Sequence, residues 1–132
     1  MYTACIDLDG VLAYYDGWKG DEHIGRPLHT GIWIVRELKK TNFEIIIWTC
    51  RLNGCWETTD YSKSYNLIKK WLDDNNVPYD KIALQKDGKP YADIYIDDRG
   101  VNVPTNNEDL GIAASVVIMA MELAMEHKND RR

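Results

Sequence analysis

Apolar and polar residues fall in alternating blocks along this chain. Residues 2–7 open with an apolar run that predicts a strand, and residues 43–49 (FEIIIWT) are continuously apolar over strand length, as in a parallel sheet buried on both faces. Between them, residues 16–26 (DGWKGDEHIGR) are rich in glycine and charge and predict a loop. Residues 30–41 carry Ile34, Val35 and Leu38, with Trp33 alongside, and close on Lys39 and Lys40. That is an amphipathic helix with basic residues at the negative end of its dipole. Residues 62–74 place Tyr65, Ile68, Trp71 and Leu72 at helical spacing. Residues 81–84 and 93–97 (DIYID) predict two short strands, and residues 108–128 a final helix.

The order β-α-β-α-β-β-α indicates an α/β fold: a Rossmann-like three-layer sandwich with a mainly parallel sheet, formed by residues 1–132 as a single domain. Sheets of this kind bind ligands beyond the carboxyl ends of their strands. Three predicted strands end there in polar chemistry: Asp7 and Asp9, Thr49 and Arg51, and Asp97 and Asp98.

The composition is that of an ordinary globular protein, with 45% hydrophobic and 28% charged residues in 132. A net charge of −5 gives no basic footprint for duplex nucleic acid. The cysteines Cys5, Cys50 and Cys55 are odd in number and have no zinc-like spacing, which points to reduced thiols in the cytoplasm. The N-terminus runs straight into a strand, so no signal peptide is expected. Residues 110–125 are apolar nearly all round but fall short of the roughly 20 needed to span a bilayer, and Glu122 interrupts them. No membrane association is expected. A buried helix, or an interface between copies of the chain, fits them better.

The stretch DLDGVL at residues 7–12 poses a chemical problem. Side chains at i and i+2 of a strand point to the same side, so Asp7 and Asp9 bring two negative charges together. Each raises the other's pKa unless a cation or a proton relieves the repulsion. The plain alternative is a strand followed by a turn at Asp9 and Gly10. His23, His29 and His127 are scattered, and solvated or capping roles suit them.

These residues also carry a resemblance. DLDGVL resembles the first motif of the haloacid dehalogenase-like (HAD) phosphohydrolases, and IIIWTCR resembles their second. Gly88-Lys89-Pro90 is similar to the third and IYIDDRG to the fourth. All four stand in family order, each at the end of its predicted element. The resemblance implies a magnesium-dependent phosphomonoesterase. Asp7 would be the nucleophile and form an aspartyl-phosphate, with Asp9 as general acid and then base. Asp7, the backbone carbonyl of Asp9, Asp97 and Asp98 would hold Mg2+. Thr49, Cys50, Arg51 and Lys89 would hold phosphate, Lys86 competing with Lys89 and a structural ion pair with substrate contact for Arg51.

Many members of that family carry a cap domain inserted after the first or second motif. About 40 residues separate Asp9 from Thr49 and about 40 more separate Thr49 from Lys89, which a loop, a helix and a strand consume in each case. No cap is expected. An open site suits a small or medium phosphorylated substrate such as a sugar phosphate or nucleotide, or a larger one. Tyr14, Tyr15 and Trp18 in one bordering loop, and Trp56 and Tyr61 in another, offer rings for stacking on a sugar or base, or for closing the loops onto the core. The alternatives are a nucleic-acid end-processing 3′-phosphatase, less favoured because of the acidic charge, and a non-catalytic phosphate-binding protein of the same fold.

Overall fold

In a computed structural model of the chain, residues 1–52, 61–103, 105–106 and 111–126 are described. Trp56, Cys55 and His127 lie outside them. The chain divides into two compact units, Met1–Asp98 and Arg99–Arg132.

The first unit contains β1 (Tyr2–Ile6), α1 (His29–Lys40), β2 (Phe43–Ile47), α2 (Tyr61–Asp74), β3 (Lys81–Ile82) and β4 (Ile94–Ile96), with short 3-10 turns at Cys50–Leu52 and Gln85–Asp87. The strands form one sheet in the order β3-β2-β1-β4, and every pairing is parallel. This is the expected α/β, Rossmann-like arrangement. Among the described residues no further helix or strand stands between β1 and α1, and only the 3-10 turn stands between β2 and α2, so no cap is seen there.

Alternation along the central strands sorts their side chains. Ala4 and Ile6 of β1 and Ile45 and Ile47 of β2 share a buried cluster with Ile32 and Val35 of α1 and Ile68 and Leu72 of α2. Both helices therefore cover one face. Each of the isoleucine, leucine and valine side chains, removed from water, contributes about 1.5–3 kcal/mol. On the other face Cys5 and Ile46 pack with Ala83 and Ala92, so the connection from β3 to β4 covers that side, with Trp48 against it. This connection carries no α-helix, and the third strand is two residues long, shorter than its apolar run suggests.

The register aligns the strand ends. Ile6 pairs with Ile47 on one side and with Ile96 on the other. The ends of β1, β2 and β4 are level, and the next residues are Asp7, Trp48 and Asp97. Between β1 and β4 the strand order reverses direction, the place where open α/β sheets open a crevice.

In the second unit, α3 (Gly111–Glu126) lies within the expected final helix and is apolar nearly all round, with Glu122 and Glu126 as its acidic residues. Among the described residues no helix is long and apolar enough to cross a membrane.

Candidate active site

Asp7 follows the last residue of β1 directly. Its N–H donates to the carbonyl of Ile96 at 3.0 Å, continuing the parallel ladder one step past the strands. This bond fixes Asp7 beside Asp97 at the start of the next loop. Asp7, Asp97 and Asp98 each offer a carboxylate oxygen within 4.8 Å of the others, a group that could hold a metal ion. The donors are all hard oxygens, and the Asp7 carboxyl is pushed up to about 7. Burial is the main cause, with Asp97, Asp98 and Asp9 adding repulsion, while the Leu8 N–H bonded to it at 2.8 Å pulls the other way. Asp7 is half-buried while Asp97 and Asp98 are exposed, and oxygen donors gathered this way suit a hard divalent cation.

The chain then turns sharply. The N–H groups of Val11, Leu12 and Ala13 all point at the carbonyl of Leu8, at 3.3, 2.9 and 3.0 Å. Fully buried Leu8 and Leu12 anchor the turn in the core. Gly10 has φ +87°, and a β-carbon there would stand 2.2 Å from Oδ2 of Asp98. Glycine thus serves both the backbone conformation and the approach of Asp98. Local sequence accounts only for the bend at Gly10, because its contact with Asp98 is a tertiary one.

Asp9 faces a different partner. Its carboxylate accepts two bonds from the guanidinium of Arg51, 2.7 Å from Nε and 3.0 Å from Nη2. Arg51 is almost fully buried, its side chain 4% exposed against 17% for Asp9. As placed, each Asp9 oxygen accepts one bond from Arg51, which leaves a second lone pair on each oxygen to carry a proton.

The expected loop at 16–26 is closed at its base. Ala13 bridges Pro27 antiparallel, and the Tyr14 N–H donates to the Arg26 carbonyl at 2.8 Å. Trp18 within the loop lies under Arg51 at 4.9 Å, and Tyr14 at its base lies under Arg26 at 4.8 Å. Tyr61 uses its hydroxyl to accept the Gln85 N–H at 2.9 Å.

The second expected motif runs off the end of β2. Thr49 is buried, and its Oγ1 accepts the Arg51 N–H at 3.2 Å. Cys50 is exposed and begins the 3-10 turn. Lys89 is exposed, its Nζ 4.7 Å from the centre of the Tyr95 ring. Burial and then Asp7 push the Cys5 thiol up to about 11, and the positive charge of Lys89 pulls the other way. Lys86 instead lies beside Tyr61 and Leu84, at the β3 end of the sheet. The structure therefore brings Asp7, Asp97 and Asp98 together, pairs Asp9 with Arg51 beside Thr49, and leaves Lys89 exposed over Tyr95.

No family model matches the sequence, and no curated protein matches it. Solved structures do. A structural-genomics target from Vibrio cholerae is 25% identical with a TM-score of 0.54, the match covering 97% of this chain and 99% of that one. A conserved protein from Bacteroides thetaiotaomicron is 19% identical with a TM-score of 0.55, over 90% and 91%. A chain of the Pnkp1/Rnl/Hen1 complex, of which 33% is covered, superposes on 88% of this chain at 14% identity and a TM-score of 0.46, too loosely to bear on function. This chain is similar in fold to the first two along nearly their whole length.

Proposed function

We propose that the chain is a capless HAD-like phosphatase, a magnesium-dependent phosphomonoesterase that acts through Asp7. The observation that carries this reading is the convergence of Asp7, Asp97 and Asp98 within 4.8 Å at the reversal point of a parallel sheet. Bound there, Mg2+ would offset the carboxylate charge and that of the substrate phosphate. Asp7, Asp97 and Asp98 would hold it, with the backbone carbonyl of Asp9.

In the reaction, a carboxylate oxygen of Asp7 attacks phosphorus in line. The bond from phosphorus to the leaving oxygen breaks, and that oxygen takes a proton from Asp9. Water then attacks the aspartyl-phosphate, Asp9 takes a proton from it, and inorganic phosphate leaves with Asp7 restored. Thr49, the backbone at Cys50, and Lys89 would bind the phosphate oxygens. The substrate is a sugar phosphate, nucleotide or similar metabolite, reached in the open in a cytoplasmic setting. Self-association through α3 would be consistent with its apolar sequence.

The test is phosphate release from aryl phosphates, sugar phosphates, nucleotides and 3′-phosphorylated oligonucleotides, each with magnesium or chelator. Magnesium-dependent release that Asp7→Asn abolishes supports the reading. Release that survives Asp7→Asn rejects it, and a preference for the oligonucleotides would favour end processing.

A further inference from the structure

Arg51 is engaged on every side that the structure describes. Besides its two bonds to Asp9, Nη2 donates to the His23 carbonyl at 2.9 Å and Nη1 approaches that of Asp21 at 3.4 Å. The guanidinium carbon sits 4.9 Å above the Trp18 ring, and the Arg51 N–H is tied to Thr49. One buried cation thus joins the start of the turn after β1, the segment 18–23, and the end of β2.

We propose that Arg51 is a positioning residue that acts through Asp9: its fork fixes the Asp9 carboxylate and holds the segment 18–23 beside it. The proposal rests on the phosphatase reading for its kinetic consequence, although not for the contact itself. Two observations separate it from direct phosphate binding, and a third separates arginine from lysine. The side chain is 4% exposed, so it is not presented to a ligand arriving from solvent. Its charge is already met by Asp9, and leaving either partner buried without the other carries a large desolvation cost. The bidentate geometry sets the plane of the carboxylate as well as its distance, which a point charge cannot do. Lysine at this position would keep the charge and lose the fork, along with the two carbonyl bonds and the stacking on Trp18.

Sequence distance hides this arrangement. Arg51 is 42 residues from Asp9 and 28 from His23. Its neighbour Thr49 suggests a phosphate site, so the arginine reads as part of that site until its direction is known.

The test uses Arg51→Lys, Asp9→Asn and the double variant, with wild type and Asp7→Asn as references. Each is assayed with magnesium on aryl phosphates of graded leaving-group pKa. A residue acting through Asp9 loses kcat in the pattern of Asp9→Asn. The loss should be tenfold or more with the poorest leaving group and small with the best, KM should change less than threefold, and the double variant should lose no more than Asp9→Asn alone. An equal loss across leaving groups, an effect confined to KM, or additive losses in the double variant would overturn the proposal. A second measurement needs no turnover. The Nε–H resonance of Arg51 in nitrogen-edited NMR, identified by its absence in Arg51→Lys, should exchange slowly in wild type and fast in Asp9→Asn. An unchanged resonance rejects the pairing. If no substrate is turned over, the phosphatase reading fails while this spectrum still decides whether Arg51 holds Asp9.

Discussion

Asp98 meets Gly10 so closely that a methyl group on the glycine would overlap the carboxylate, the nearest approach being 2.2 Å. The third carboxylate of the acidic group is therefore admitted by the missing side chain in the turn after β1. Gly17 has a positive φ too, +121°, but nothing lies within 4 Å of its β-position. The two glycines separate backbone strain from displacement.

Gly10→Ala and Gly17→Ala should each lose about 1–2 kcal/mol of stability from the left-handed backbone. Only Gly10→Ala should also weaken divalent-cation binding, by tenfold or more, because Asp98 must move. Calorimetric titration with magnesium or manganese checks this. Equal affinities in wild type and both variants would show that Asp98 takes no part.

Asp7 makes the cation-free protein sensitive to pH. Its folded pKa of about 7 lies above the 3.8 of an ordinary aspartate, so the folded state holds the proton more tightly. The stabilisation is fully present below about pH 4 and is lost as pH rises to about 7. With chelator present, wild type should lose up to roughly 2–4 kcal/mol through this group between those limits, as an upper bound. Asp7→Asn should lack that component. Urea unfolding of both proteins at pH 5 and pH 8 measures it, and parallel pH dependence in the two would refute the assignment. Cation binding should weaken below pH 7, where the proton competes.

The two candidate lysines differ in place, and kinetics should tell them apart. Lys89 lies over Tyr95, close enough to act on Cys5 in β1, whereas Lys86 lies at the β3 end beside Tyr61. Lys89→Met should lower kcat/KM by tenfold or more with unchanged folding. Lys86→Met should stay within threefold of wild type. The reverse ranking would assign the site lysine to the 3-10 turn.

A fourth expectation concerns stability alone. Asp80 Oδ2 accepts the Ile45 N–H at 2.7 Å, and both its oxygens accept from Lys39, at 2.9 and 2.8 Å. Its own N–H donates to the Ile45 carbonyl at 2.9 Å. Asp80→Ala should cost about 1–3 kcal/mol, mostly by stranding the Ile45 N–H, since the half-exposed ion pair itself is worth little. Turnover at 25 °C should be unaffected, and a thermal melt alongside an assay tests both halves.

The parts of this structure that are legible in the sequence are those governed by period and strand length. FEIII can be placed as a buried central strand because both faces of it need covering, and Asp7 and Asp97 can be placed at strand ends because the apolar runs stop there. The relations among strands are not legible. Nothing local says that the chain crosses from β3 back over Cys5 and Ile46 to pair β4 with β1, yet that crossing is what sets Asp97 beside Asp7. The direction of Arg51 is hidden for the same reason. Its partners Asp9, Asp21 and His23 all come from an earlier part of the chain, and the last two lie in what the sequence presents as a solvated loop.

The sheet's short margins have a consequence for handling the protein. Ile45, Ile46 and Ile47 form an uncharged, β-branched run, the kind of segment that seeds fibrils when it finds a free edge. Here it is enclosed between β1 and β3, while the strands at the margins, β3 and β4, are two and three residues long. Edges this short offer little template to another chain. The hazard is confined to molecules that have opened far enough to release β2, so loss by aggregation on storage or heating should follow the unfolded population and should fall when a bound cation stabilises the fold.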